Sequence, residues 1–281
     1  MSRPPVRDGG RRIDLHAHTN FSDGLLSPEQ LVERAIERQL VAVAVTDHDT
    51  VHGVVRAHTA AAHRIEVVPG IEISSALPGL DLHILGYFLD IEDATLRERL
   101  ERFRAERLDR ALAMVRKLSE LGAPIDPEQV LALAGPGVVG RPHVAEALVR
   151  AGHVESLDAA FRRYLGARGD AFVPRPAFRP EEALALIHAA GGVSSLAHPG
   201  AMLPDGVIEH LAGEGLQALE VWHPQHGATT VRRYRALAAR LGLLETGGSD
   251  FHGVGRSLDL GDIQVPASAL GPLKQAAGVA G

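Results

Sequence analysis

RIDLHAHTNFSDGLLSPEQLVERAIERQLVAVAVTDHD, residues 12–49, is the stretch whose reading decides the fold. Residues 12–18 alternate apolar and polar side chains, and 41–46 form a short run rich in β-branched residues, so both read as strands. Between them Ser27 is placed as an N-cap, Pro28 takes the first helical position and Gln30 completes a capping box. Leu31, Ala35 and Ile36 then share one helical face. The stretch is a β-α-β unit.

Working outward, the unit recurs. A helix is predicted over 51–63, with strands over 66–73 and 82–88. After a long interval come a helix over 180–190, a strand over 193–197, a helix over 205–212, a strand over 219–222, a helix over 230–241 and a strand over 243–246. About seven strands alternating with helices argue a parallel α/β architecture, open or closed into a barrel. Residues 90–176 break the rhythm. Their patterning is helical throughout, over 94–121, 127–134, 142–151 and 157–165, with no strand signal. The expected organisation is a metal-binding barrel from 1–89 and 177–281, with an inserted helical subdomain at 90–176.

Composition narrows the function classes. In 281 residues, 45% hydrophobic and 23% charged, the chain is that of an ordinary soluble globular protein, and the absence of cysteine excludes disulfides and thiolate metal sites. No apolar run reaches membrane-spanning length, and residues 1–10 are polar and rich in proline and glycine. Neither a span nor a signal peptide is expected, which makes a cytoplasmic location the expectation. A net charge of −6 gives no bulk attraction to nucleic acid, and 4% aromatic residues is thin for a base-stacking platform, which disfavours long duplexes. Lys117 and Lys274 are the only lysines, a bias for which GC-rich coding is the plain account but which leaves the two arginines on the apolar face of the inserted helix unexplained. The 15 histidines are less easily set aside, because their placement is ordered.

His16 and His18, two apart on the first strand, leave the same face, and paired imidazoles suit Zn, Mn, Fe and similar cations. Asp23 follows in the next loop, His48 stands after the second strand, Glu72 in the third and His83 in the fourth. His198 follows the fifth, and Asp250 and His252 follow the last. Nearly all fall at strand carboxyl ends, where α/β barrels build active sites. Any one alone reads as a turn or capping residue; the set at successive strand ends reads as a metal centre. Six imidazoles and three carboxylates exceed the needs of one or two ions and suit three, with Glu72 as the bridge. Such a cluster favours an anionic ligand, so phosphate esters lead as substrates, with metal-bound hydroxide as nucleophile. No lysine lies near these motifs, which counts against a carboxylated-lysine bridge. His52, His58, His63, His153, His188 and His210 fall on helical stretches as surface or core side chains; His223 and His226 stay open to a supporting or substrate role.

Taken together, the stretches Asp14-Leu-His16-Ala-His18-Thr, Ser22-Asp23-Gly24, Thr46-Asp47-His48-Asp49, Pro69-Gly-Ile-Glu72-Ile, Leu82-His83-Ile-Leu-Gly, Ala197-His198-Pro199 and Gly248-Ser249-Asp250-Phe-His252-Gly253 resemble the PHP (polymerase and histidinol phosphatase) superfamily in order and spacing. The resemblance implies a distorted seven-stranded β/α barrel with a trinuclear Mn, Fe or Zn site. It implies His16, His18, Glu72 and Asp250 on one ion, Glu72, His83 and His198 on a second, and Asp23, His48 and His252 on the third. The helical insertion and Gly140-Arg141-Pro142-His143 are similar to the branch of nucleoside 3′,5′-bisphosphate phosphatases and 5′-3′ exoribonucleases. Histidinol phosphatases share the ligand pattern, so the ligands do not discriminate.

The insertion adds its own clue. Leu96, Leu100, Phe103, Met114, Leu118 and Leu121 form one apolar stripe of the long helix, and Arg107 and Arg110 fall within it. An arginine on a buried face needs a partner: either an intramolecular carboxylate or a substrate phosphate. Arg141 and His143, at the start of the next helix, are further substrate candidates, against ordinary helix capping. A metal centre plus an arginine cluster suits a bisphosphorylated nucleotide, with a short 5′-phosphorylated RNA end as the alternative. Asp23 or His198 is expected to assist proton transfer to the leaving oxygen. A metal-binding domain without catalysis is the reading from a different class.

Overall fold

Ser27 caps the first helix as expected. Its Oγ accepts the Gln30 N–H at 3.3 Å, and Gln30 Oε1 accepts the Ser27 N–H at 2.9 Å. This computed structural model describes residues 11–279, so the polar leader over 1–10 lies outside the described residues.

In chain order the barrel begins β1 (Arg12–Asp14), α1 (Pro28–Glu37), β2 (Leu40–Val45), α2 (His52–Ala61), β3 (Glu66–Leu77) and β4 (Leu80–Tyr87). The insertion follows as α3 (Ala94–Glu120), α4 (Pro127–Ala134), α5 (Arg141–Arg150) and α6 (Leu157–Ala160), which runs into a π-helical turn. The chain then returns through α7 (Pro180–Ala189), β5 (Val193–Leu196), α8 (Asp205–Gly213), β6 (Ala218–Trp222), α9 (Ala228–Leu241), β7 (Leu244–Gly247), β8 (Val265–Pro266) and α10 (Leu270–Ala276). Among the described residues no helix is long and apolar enough to cross a membrane.

The eight strands form one sheet in the order β7-β6-β5-β4-β3-β2-β1-β8. Closure comes from the segment just past β1. Leu15 N–H donates to Gly247 O at 3.1 Å and His18 N–H to Phe251 O at 2.8 Å, so strands one to seven make a ring and β8 adds an antiparallel edge to β1. The seven-stranded β/α barrel with a helical insertion is the observed class. The parallel expectation needs one correction: β4 is antiparallel to both β3 and β5. Pro78 and Gly79, the latter at φ 76°, turn the chain too tightly for a helical crossover. This reversal carries His83, early in β4, to the same end of the barrel as the carboxyl ends of its neighbours.

It also sends the chain out at the opposite end, and α3 brings it back. At 1.5 Å per residue its 27 residues span about 40 Å. Its apolar stripe divides between two cores. Leu96, Leu100 and Phe103 pack with the barrel's strands and helices, whereas Ala111, Met114, Val115 and Leu118 pack with α4, α5 and α6. Arg107 and Arg110 fall in the gap between the two. Leu121, expected in the stripe, caps the helix at 45% exposure, because α3 stops at Glu120. Inside the barrel Ile13, Leu15, Val68, Leu85 and Tyr87 form a third core, closed at the far end by Leu270 and Leu273 of α10.

Candidate metal centre and arginine cluster

Two backbone splices build the centre. Beyond β1, Ala17 bridges Phe251, interleaving His16 and His18 with Asp250 and His252. Beyond β2, His48 bridges Glu72, with Asp49 N–H donating to Glu72 O at 3.0 Å. The approach at Gly248 is so close that a Cβ there would overlap the His16 backbone, which is why glycine stands at that point. Two buried carboxylates brace the loops. Asp14 accepts the backbone N–H groups of Ser249 at 3.0 Å and Gly261 at 2.9 Å. Asp47 accepts Thr19 N–H at 2.7 Å and the hydroxyls of Thr19 and Ser22, each at 2.6 Å.

All nine expected donors converge. Glu72, fully buried, is central: Oε1 lies 2.7 Å from His83 Nδ1 and 2.8 Å from His198 Nε2, and Oε2 lies 3.3 Å from both His16 Nε2 and His18 Nε2 and 3.0 Å from His48 Nδ1. Asp250 Oδ1 stands 3.4 Å from His16 Nε2 and 3.2 Å from His18 Nε2. Asp23 Oδ1 is 3.2 Å from His252 Nε2, and its Oδ2 is 4.0 Å from His48 Nε2. Among the described residues four sets have ligand atoms close enough to share an ion: His18, Asp23, His48 and His252; His16, His18 and Glu72; His16, His198 and Asp250; and His48, Glu72 and His83.

The chemistry of these atoms fits divalent cations. His16 Nε2, His18 Nε2, His48 Nδ1, Asp23 Oδ1 and Glu72 Oε2 are buried without a hydrogen-bond partner, an arrangement that is costly unless a ligand completes it. Burial presses the His18 imidazole down, yet Asp250 and Glu72 raise it to about 10. Burial likewise opposes charge on Glu72 and Asp250, and the surrounding imidazoles nevertheless hold both carboxyls well below their ordinary range. The field therefore favours positive charge at His16 and His18, whereas burial outweighs the same carboxylates at His48 and presses its imidazole down to about 3. Two donors sit on strained backbone, Asp250 at φ 52° and His198 at φ 24°, a conformation that persists only where the surroundings over-determine it.

One residue that the sequence reading passed over completes the arrangement. Glu220, fully buried on β6, has Oε1 3.0 Å from His16 Nδ1 and accepts the His198 N–H through Oε2 at 2.6 Å. An ionised Glu220 can only accept there, so it keeps a proton on His16 Nδ1 and leaves Nε2 as the atom turned to the centre for an ion. A signal was present: one glutamate inside the apolar run of 218–222. His223 Nε2 lies 3.4 Å from Asp250 Oδ2.

Beside His48 begins a second feature. Asp49 Oδ2 receives Arg107, at 2.7 Å from Nε and 2.6 Å from Nη2, and a further Nη2 bond at 3.1 Å reaches Ser74 Oγ. Arg107 thus has an intramolecular partner. Arg110 spends Nε on Val173 O at 2.8 Å, and Arg141 reaches Leu165 O at 3.5 Å. Arg175, which sequence reasoning missed, joins them in the loop leading to α7; Asp49, Ser74, Arg107, Arg110 and Arg175 line one small cavity. Burial and then the neighbouring Arg141, Arg175 and Arg107 push Arg110 down to about 9; burial likewise lowers Arg141 and Arg175, and Asp49 and Asp81 offset this only in part. His143 caps α5, with Nδ1 accepting the Gly140 N–H at 2.9 Å, and burial lowers its imidazole.

Comparison with known proteins agrees with this geometry. A family model described as the PHP domain matches residues 14–165. The chain is 34% identical over 247 residues to the 5′-3′ exoribonuclease Rnm of Escherichia coli strain K12, covering 85% of this chain and 84% of that protein. It is 33% identical over 250 residues to a 3′,5′-nucleoside bisphosphate phosphatase of Chromobacterium violaceum, covering 86% and 88%. A crystal structure from Bifidobacterium adolescentis, assigned as a metal-dependent phosphoesterase, superposes with a TM-score of 0.89 at 33% identity, covering 96% and 98% of the two chains.

Proposed function

The chain belongs to the PHP domain family and is a metal-dependent phosphoesterase; from that premise we propose that it removes the 3′-phosphate of nucleoside 3′,5′-bisphosphates. In this reading three divalent ions, Mn, Fe or Zn, are held by His16, His18, Asp23, His48, Glu72, His83, His198, Asp250 and His252. Such ions, when bound, supply Lewis acidity toward water and the phosphoryl oxygens. The chain's own residues do the rest. Glu72 ties the donor sets together, and Glu220 sets the His16 tautomer. Asp23 offers a second carboxylate oxygen beyond the one facing His252, so it takes the proton-moving role; His198, with Nε2 aimed at Glu72, serves as a ligand.

The observation that carries the substrate assignment is the cluster of Arg110, Arg141 and Arg175, desolvated and mutually repelling, adjoining the His48–Asp49 loop. Forked guanidiniums suit a phosphate that is bound but not cleaved. Asp49 holds Arg107 as the floor of that site, and the insertion over 90–176 brings most of it to the barrel mouth. Short RNA with a 5′-phosphate is the second reading, favoured by the same cluster, since a terminal phosphate would occupy it equally.

The test is phosphate release with added manganese from nucleoside 3′,5′-bisphosphates, mononucleotides and histidinol phosphate, beside nucleotide release from short 5′-phosphorylated RNA. Preference for the bisphosphates supports the proposal; faster turnover of RNA transfers it to the second reading. No turnover across the panel would overturn both.

A further inference from the structure

We propose that His226 and Tyr234 are positioning residues that hold the His198–Gly200 turn, and thereby aim His198 at the metal centre. The inference rests on reading His198 as a ligand. That turn is an unfavourable piece of backbone: His198 has φ 24° and Gly200 φ 66°, with Pro199 between. A non-glycine residue in this region needs support from outside its own segment.

Support arrives at both ends. At the front, Glu220 accepts the His198 N–H at 2.6 Å. At the rear, His226 Nε2 accepts the Gly200 N–H at 3.1 Å, and the Tyr234 hydroxyl donates to the Gly200 carbonyl. Both polar groups of Gly200 are therefore engaged. The tautomer of His226 follows from its partners. Val221 O, 3.0 Å from Nδ1, can only accept, so Nδ1 carries the proton and Nε2 is left as the acceptor that Gly200 requires. The Tyr234 ring packs on His226 at 5.2 Å between centroids, and both side chains are buried. A histidine that merely filled the core would not spend both ring nitrogens on backbone, one of them in the loop that carries a ligand.

Four variants of the full chain test this: His226→Leu, His226→Gln, Tyr234→Phe and His198→Ala. Metal content after manganese loading, kcat and KM on an aryl phosphate, and circular dichroism are measured for each. His226→Leu is expected to lose about 10- to 100-fold in metal affinity and in kcat, with KM within about twofold. The Gln amide supplies one donor and one acceptor as the ring does, so His226→Gln should recover metal affinity to within about threefold of the parent. Tyr234→Phe should move in the same direction as the Leu variant. A folded His226→Leu with full metal content and kcat overturns the proposal, as does a Gln variant as impaired as Leu. Should His226→Leu not fold, Tyr234→Phe decides: unchanged metal affinity overturns the clamp. His198→Ala separates the two levels. If it keeps full metal content, the ligand reading fails and the clamp falls with it; if it loses metal while His226→Leu does not, only the clamp fails.

Discussion

Glu220 joins two ligand candidates from different strands: its Oε1 faces His16 Nδ1 at 3.0 Å while its Oε2 takes the His198 N–H at 2.6 Å. Burial opposes charge on Glu220, but His16 and its hydrogen bond hold the carboxyl below its ordinary range, so the ionised group can accept from both partners at once. In Glu220→Gln the amide N–H₂ must face one of those N–H groups. We expect about a 10- to 100-fold loss of metal affinity, read by competition with a chelator, from a residue that touches no ion. Parental affinity in the variant would remove Glu220 from the support of His16.

His16→Ala and Asp250→Ala each delete a ligand atom that stands beside buried atoms without a hydrogen-bond partner, Glu72 Oε2 for His16 and the Nε2 atoms of His16 and His18 for Asp250. Turnover and bound metal are expected to fall together in both, measured by phosphate release and by elemental analysis of the same sample. A variant keeping full activity would refute its place in the cluster. Chelator treatment of the unaltered protein should give the same loss, reversed by manganese.

Arg110→Ala and Arg175→Ala remove guanidiniums from the cluster next to Asp49. A charge-assisted bond to phosphate is worth about 1.5–3 kcal/mol, which corresponds to a rise in KM of about 10- to 150-fold for a bisphosphate. An aryl phosphate, with one phosphate destined for the metals, should change by less than about threefold. Equal effects on the two substrates would take these arginines out of substrate binding. Arg107→Ala has a different signature, because Asp49 is left buried without its cation. Its effect should appear in stability, by about 3 kcal/mol in a denaturant titration.

Most of the ligand residues were legible because they sit in short strings on or just past a strand, where the period of two and the barrel's geometry leave little freedom in where a side chain points. His16 and His18 illustrate this: their spacing alone places both on one face. Glu220 was missed for the opposite reason, since its string shows no chemistry and its role depends on His16, 204 positions away. Arg175 lies in an irregular loop, where no periodicity assigns a direction. The antiparallel course of β4 was readable in Pro78-Gly79, but the repeating β-α-β rhythm argued more strongly for a crossover than two turn residues argued against it. The apolar stripe of α3 correctly marked a buried face and could not show that two cores divide it, leaving Arg107 and Arg110 between them.

The segment following His252 is tied back to α1 through Asp259, which Arg34 reaches with Nε at 3.1 Å and with a second, shorter bond, and through Asp262, which Arg38 reaches. Burial would raise the Asp259 carboxyl, but bonds from Arg34 and from the Leu260 N–H hold it below its ordinary 3.8. A depressed carboxyl stabilises the fold above its unfolded value, and that contribution is lost as pH falls through the lowered folded value. Asp259→Asn should therefore be less stable than the parent by a constant amount from neutral pH down to about pH 5, and the gap should shrink below about pH 4. The partners are partly exposed, so the gap is about 1 kcal/mol or less, read as a shift in urea midpoint. A gap that widened on acidification would reverse the sign of the linkage and exclude Asp259 as an ionised anchor of this segment.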